Sequence, residues 1–200
     1  MSKIMFSVIA AIFLAGCQTT GTTWQATNKV DEFTDKQTKM VTVGEWPSAN
    51  YLVTQSLKYY PFVGIQNDMI FVGIRSGGRY RVPTGTVQLR IDSSPTWTIS
   101  PEETPVALSS SYPILQIQTM PEFANLQSQI MENMTKMMSP YTAATGEKAK
   151  KIIKEMMKGK VIKYRVVGAN QAASTTGEVA LNVSFIKALL LIGITRSFLN

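Results

Sequence analysis

The chain has 200 residues, enough for one domain with a substantial core, and its 44% hydrophobic and 16% charged residues are a globular composition. It holds one cysteine and no histidine, which excludes an intramolecular disulfide, Ser-His-Asp and Cys-His nucleophile systems, His-ligated zinc and histidine proton shuttles. The net charge of +7 is concentrated: residues 147–165 carry Lys148, Lys150, Lys151, Lys154, Lys158, Lys160, Lys163 and Arg165 against Glu147 and Glu155.

At the N-terminus, Lys3 precedes an uncharged, mostly apolar run from Ile4 to Leu14. The run is shorter than the roughly 20 residues that span a bilayer and matches a signal-peptide hydrophobic region. It ends in Leu14-Ala15-Gly16-Cys17, which resembles the lipobox of bacterial lipoproteins. The resemblance implies cleavage between Gly16 and Cys17 and acyl chains on the Cys17 thiol. Gln18, where an Asp would favour inner-membrane retention, implies the outer membrane. The chain is therefore expected to be exported, lipid-anchored to the outer membrane and periplasm-facing. Residues 1–16 are the signal peptide, 17–29 the lipidated cysteine and a polar tether, and 30–200 a single α+β domain. The tether is assigned because Gln18 to Lys29 is Thr-rich with little apolar pattern.

From Met40 to Thr119 the pattern is β. Met40–Val43, Tyr51–Leu57, Met69–Ile74, Arg79–Val82 and Thr86–Ile91 are short runs rich in β-branched and aromatic residues. Gly44 with Pro47, Asn67-Asp68, Ser76-Gly77-Gly78 and Pro83-Thr84-Gly85 separate them as turns. Thr96–Ile99 and Ile114–Gln118 are weaker strand candidates. Phe123, Leu126, Ile130, Met134 and Met137 then fall at helical spacing, with a capping box at Thr119–Glu122 and a stop at Ser139-Pro140. A second helix is predicted over 146–158, with Ala149, Ile152, Ile153, Met156 and Met157 as its apolar stripe, Thr145 as N-cap and Gly159 as stop. Val161–Val167 and Glu178–Phe185 alternate as strands joined across the 168–177 loop, and Ala188–Ile194 reads as part of a buried C-terminal helix, or else a buried strand. The predicted fold is α+β: an antiparallel β-sandwich or meander with two inserted amphipathic helices and a C-terminal helix.

Few residues point to chemistry. Ser184-Phe-Ile-Lys187 has the S-x-x-K spacing of serine acyl-enzymes, but no S-D-N or K-T-G follows and Ser184 falls in a predicted strand. Asp31, Glu32, Asp35 and Asp92 are candidates for an acid/base set or a cation site, but the cluster Asp31, Glu32 and Asp35 lacks calcium-loop spacing, and a solvated loop or helix cap is the first reading. Met131, Met134 and Met138 share a helix face; soft sulfur suits Cu(I), but methionines at this spacing are first of all core. Arg75, Arg79 and Arg81 flank the Ser76–Gly78 turn, and arginine forks suit carboxylates and phosphates. Lys150, Lys151, Lys154 and Lys158 form a basic helix face, read first as solvated and second as a contact for phosphates or an acidic partner. These arginines and lysines are the candidate anion or partner contacts. No catalytic residue, metal, cofactor or nucleic acid is expected.

Three segments resemble periplasmic accessory proteins of the type VI secretion system, the VasI/TagO kind: Asp31–Thr38, Arg90-Ile91-Asp92 followed by Trp97, and the closing helix with Val161–Val167 and Val179–Phe185. This resemblance implies a non-catalytic envelope role. The expected function is a non-enzymatic outer-membrane lipoprotein acting as an accessory or interaction factor with an envelope protein partner. The alternatives are an anionic lipid- or glycan-binding module, and a phage- or plasmid-encoded lipoprotein that modifies the host surface.

Overall fold

The structure is a computed structural model. It describes residues 22–32, 35–44, 58–77, 82–109, 124–167 and 174–199. The signal segment, Cys17, the expected strands at 51–57, 79–82 (except Val82) and 114–118, the 119–122 capping box, and Arg79 and Arg81 lie outside the described residues.

The fold is α+β, with two antiparallel sheets. The first is built from β1 (Gln25–Val30), β2 (Gln37–Thr42), β3 (Lys58–Gln66), β4 (Met69–Gly77) and β7 (Tyr141–Thr145), in the order β1-β2-β3-β4-β7. The second is β6 (Trp97–Ile99), β5 (Thr86–Ile91), β8 (Val161–Val167) and β9 (Ser174–Ala180), in the order β6-β5-β8-β9. Among the described residues four α-helices accompany them: α1 (Val106–Ser109), α2 (Ala124–Met137), α3 (Gly146–Met156) and α4 (Val183–Leu191).

Local chemistry explains the main turns and faces. Asn67 and Asp68 both take positive φ, 47° and 61°, as a two-residue hairpin turn requires, and they close β3 on β4 with Gln66 opposite Met69. In β5, Val87, Leu89 and Ile91 are buried while Arg90 is exposed, so the period of two sets the inner face. In α3, Ala149, Ile152, Ile153 and Met156 are all buried, the stripe expected from a 3.6-residue period. Thr145 takes the N-cap position with extended backbone but makes no side-chain cap bond.

One apolar cluster joins the two sheets. It contains Val41, Val63, Val72 and Ile74 from the first, Val87, Leu89, Ile162 and Val166 from the second, and the buried faces of α3 and α4. The Tyr164 hydroxyl on β8 donates to the Tyr59 carbonyl on β3 at 2.6 Å, tying sheet to sheet. Gly177 faces the Tyr164 ring so closely that a Cβ there would overlap it.

Several sequence expectations are corrected. Residues 25–29, expected within the 17–29 polar tether, instead belong to the strand Gln25–Val30 paired with β2, and Trp24 is 3% exposed. A hydrogen-bonded edge strand can be polar on both faces, so low hydropathy concealed it. Lys58–Gln66 is a central strand despite Pro61, which lacks a donor. Tyr141–Thr145 is a strand although Ser139-Pro140 precedes it; Gly73 has no Cβ, and that lets the Thr142–Ala143 backbone lie against β4. The expected strand Glu178–Phe185 ends at Ala180. Asn182 then caps α4, its side chain accepting the Ser184 N–H at 2.9 Å. Phe185, Ala188, Leu189 and Ile192 are buried at helical spacing, and that face outweighs the accidental alternation at 179–185. Finally, Leu126, Ile130, Met134 and Met137 of α2, expected to face the core, are 49–57% exposed, and Met138 just beyond the helix is exposed as well.

Trp24→Ala should cost about 3–5 kcal/mol, the range for emptying a buried aromatic site. Urea denaturation measures it; a change within about 0.5 kcal/mol, as at a surface position, would restore the tether reading.

Candidate functional surfaces

Arg75 is corrected from a surface contact to a buried residue. It is 1% exposed, near the end of β4. Its Nε donates to Thr42 Oγ1 at 3.1 Å and its Nη2 to the Val43 carbonyl at 3.3 Å. The guanidinium lies 4.8 Å from the centre of the Tyr60 ring, a cation–π arrangement. A buried arginine so engaged ties β4 to the end of β2 and to Tyr60 of β3, and offers no fork to an outside anion.

Polar groups around it extend this seam. Thr84 Oγ1 donates to the Pro140 carbonyl at 2.7 Å, and Thr142 Oγ1 to the Gly85 carbonyl at 2.6 Å. The Ser76 hydroxyl donates to the Val82 carbonyl at 2.8 Å. The Ala143 N–H donates to Thr104 Oγ1 at 3.1 Å. Thr84, Thr104, Thr142 and Ser76 are all buried, and each bond removes a desolvation cost; those of Ser76, Thr84 and Thr142 fix the connection from β4 into β5 against β7, and that of Thr104 holds the segment after β6 against β7.

The lysine face of α3 is partly committed. Lys150 pairs with Glu147 at 3.0 Å, and Lys148 with Glu103 at 2.7 Å while also donating to the Thr98 carbonyl on the edge strand β6. Lys150 beside Glu147 holds that carboxyl below its ordinary range, by hydrogen bonding first and charge second. Trp97 Nε1 donates to Glu155 at 3.0 Å. Through Lys148 and Glu155, α3 covers the β6 edge, a way of blunting an open strand. Lys151 and Lys158 are exposed, whereas Lys150 and Lys154 are half-buried. A second basic group occupies the outer face of the second sheet, where Arg90 lies opposite Lys163 and Gln88 opposite Arg165. Arg90, Lys163 and Arg165 are exposed. Lys163 is 3.8 Å from Glu178, a loose pair. Lys163 and Arg165 belong to the basic stretch in sequence; the β5–β8 register adds Arg90 to them.

The remaining candidates serve the fold. Asp92 accepts from the Lys160 and Val161 N–H groups at 2.9–3.1 Å, and Arg90 Nε donates to the Ser94 carbonyl at 3.1 Å. The Arg90–Asp92 segment therefore closes the end of β5 onto the start of β8. Asp31 and Asp35 shape the turn between β1 and β2, the Asp35 N–H donating to the Asp31 carbonyl at 2.9 Å. Ser184 is in the first turn of a helix, not a strand. Its hydroxyl donates to Asn182 Oδ1 at 2.6 Å and accepts the Trp24 N–H at 3.0 Å. Among the described residues no group of three or more His, Cys, Asp or Glu side chains is placed to hold a metal.

No family model, curated protein or solved structure matches this chain.

Burial pushes the Tyr164 hydroxyl above its ordinary value of 10.0, with a smaller contribution from Tyr60, and burial alone does the same to Tyr59. A raised pKa means the fold favours the neutral phenol. That stability is complete below pH 10.0 and is lost as pH rises through the folded-state values. Tyr164→Phe should cost about 1 kcal/mol at neutral pH, the worth of one hydrogen bond, and make the loss of stability on the alkaline side shallower. Urea melts across that range measure both effects. Arg75→Ala should cost about 3 kcal/mol by removing the charged donor that Thr42 Oγ1 accepts in a buried site; a neutral result would return Arg75 to the surface.

Proposed function

We propose that this chain is a bacterial envelope lipoprotein, anchored by acyl chains on Cys17 and acting without catalysis as an accessory or interaction factor at the outer membrane. The observation that carries the reading is the Lys3, Ile4–Leu14, Leu14-Ala15-Gly16-Cys17 pattern, with the sole cysteine of the chain at the position that lipidation needs. No helix among the described residues is long and apolar enough to cross a membrane, so attachment on this reading rests on the lipid. Two or three acyl chains anchor stably at about 0.8 kcal/mol per buried CH₂. The exposed Lys151 and Lys158, with Arg79 and Arg81, are the proposed contacts for an envelope protein of acidic surface.

A second reading, an anionic lipid or glycan ligand, is favoured by the cross-strand group Arg90, Lys163 and Arg165, all exposed on one sheet face. Attraction of that kind weakens as salt screens it.

Cys17→Ser should abolish palmitate incorporation and leave the precursor uncut; a variant processed and released normally would sink the anchor reading. Lys151→Glu with Lys158→Glu should lower recovery of the crosslinked envelope partner several-fold and change stability by no more than about 0.5 kcal/mol each, as befits exposed positions. Unchanged recovery, together with salt-sensitive binding to purified lipopolysaccharide that Lys163→Glu and Arg165→Glu abolish, would transfer the function to the second reading.

A further inference from the structure

The outer face of α4 is apolar where a surface helix is normally polar. Val183 is 71% exposed, Leu190 54% and Leu191 76%. With the exposed Lys187 they fall at i, i+4, i+7 and i+8, one face of the helix, opposite the buried Phe185, Ala188, Leu189 and Ile192. A helix apolar on both faces belongs inside a core or against lipid. Its inner face has the core; its outer face has solvent.

The chain leading back to the proposed lipid starts at this helix. Asn182, the N-cap of α4, donates from Nδ2 to the Thr22 carbonyl at 3.0 Å, and the Trp24 N–H donates to Ser184 Oγ at 3.0 Å. Only residues 18–21 lie between Thr22 and Cys17. Even fully extended, the five steps from Cys17 to Thr22 reach about 18 Å, less than two helix diameters of about 10–12 Å each. The charge suits the same surface. From Val179 to Asn200 the chain has Lys187 and Arg196 and no acidic residue; both cations are exposed. Lysine among leucines can bury its stem and keep its ammonium at phosphate headgroups. α3, by contrast, follows β7 and bonds to β6, while α4 packs on β1 beside the end of β9, so the two helices sit at opposite edges of the sheets.

We infer that the Val183–Lys187–Leu190–Leu191 face of α4 lies on the phospholipid surface of the membrane that holds the Cys17 acyl chains. This inference rests on the lipoprotein reading. It orients the domain: α4 and the β1–β9 edge face the membrane, and the α3 edge with Lys151 faces away, free for a partner. The helix does not enter as a span; it adds a second, interfacial contact beside the lipid anchor.

The full chain is produced in a Gram-negative cell with the photocrosslinker p-benzoylphenylalanine in place of Leu191, and in a parallel sample in place of Lys151. Both positions are exposed, and equal melting temperatures establish that both samples fold. After irradiation of intact envelopes, mass spectrometry should find phospholipid adducts at position 191 in several-fold excess over position 151. Adducts at 191 to another protein, to a second copy or to residues 1–16, or lipid adducts no more abundant than at 151, would overturn the inference. Tritiated palmitate incorporation in the same samples reads the anchor separately. Incorporation without the lipid adduct refutes the α4 contact and keeps the anchor; adduct without incorporation refutes the anchor and keeps the contact; neither signal refutes both.

Discussion

Trp24 holds the two ends of the fold together. Its ring packs on Phe185 at 4.7 Å between centroids, its indole N–H donates to the Ala180 carbonyl at 2.8 Å, and its backbone N–H donates to Ser184. One residue at the entrance to the first sheet thus contacts the last strand of the second sheet and the first turn of the closing helix. An indole has both a large apolar surface and a single donor, and here both are used. The donor satisfies a carbonyl at the end of β9, where the strand gives way to the cap of α4. The register of β1 and the entry of α4 both follow from this placement, and so does the shortness of the segment that leads back to Cys17.

A second constraint lies at the other side of the first sheet. Arg75 is a buried cation, and burying a charge is expensive unless its hydrogen bonds are made. Thr42, Val43 and the Tyr60 ring provide that environment. The threonine and serine hydroxyls along 76–85 and 139–143 do the same for the backbone groups of the crossing from one sheet to the next. These bonds specify more than they stabilise. Each net bond is worth about 1 kcal/mol, but an alternative register would leave several buried polar groups unmet.

With these contacts in place, the surface divides by chemistry. Basic groups gather on α3 and on the outer face of β5 and β8, where Lys148 and Glu155 also shield the β6 edge. The apolar outer faces belong to α2 and α4. Among the described residues, hydrogen bonds join the first turn and N-cap of α4 to Thr22 and Trp24. The stripe on α2 is the larger surprise for a reader of sequence. Its periodicity is that of a core-facing helix, and periodicity reports that a helix has an apolar side without reporting what lies against it.

The amino-acid pattern by itself determined the α+β class, the β5 and β8 spans, the Asn67-Asp68 turn and the buried stripe of α3, because each depends on local periodicity or on backbone conformations that few residues accept. It also carried the lipobox resemblance, which is a matter of consecutive residues. The tertiary structure alone decided the rest. β1 and β7 are polar or small-residue edges whose strand geometry comes from pairing with β2 and β4. β3 keeps a central place despite Pro61 because its neighbours supply the remaining ladder. Ser184 moved from strand to helix because Asn182 found an N-cap and Phe185 a core, and Arg75 moved from surface to interior because Thr42 and Tyr60 lie on strands distant in sequence. Pairing, capping against a remote segment and burial of a charge are all long-range events, and a linear pattern contains the partners without their distances.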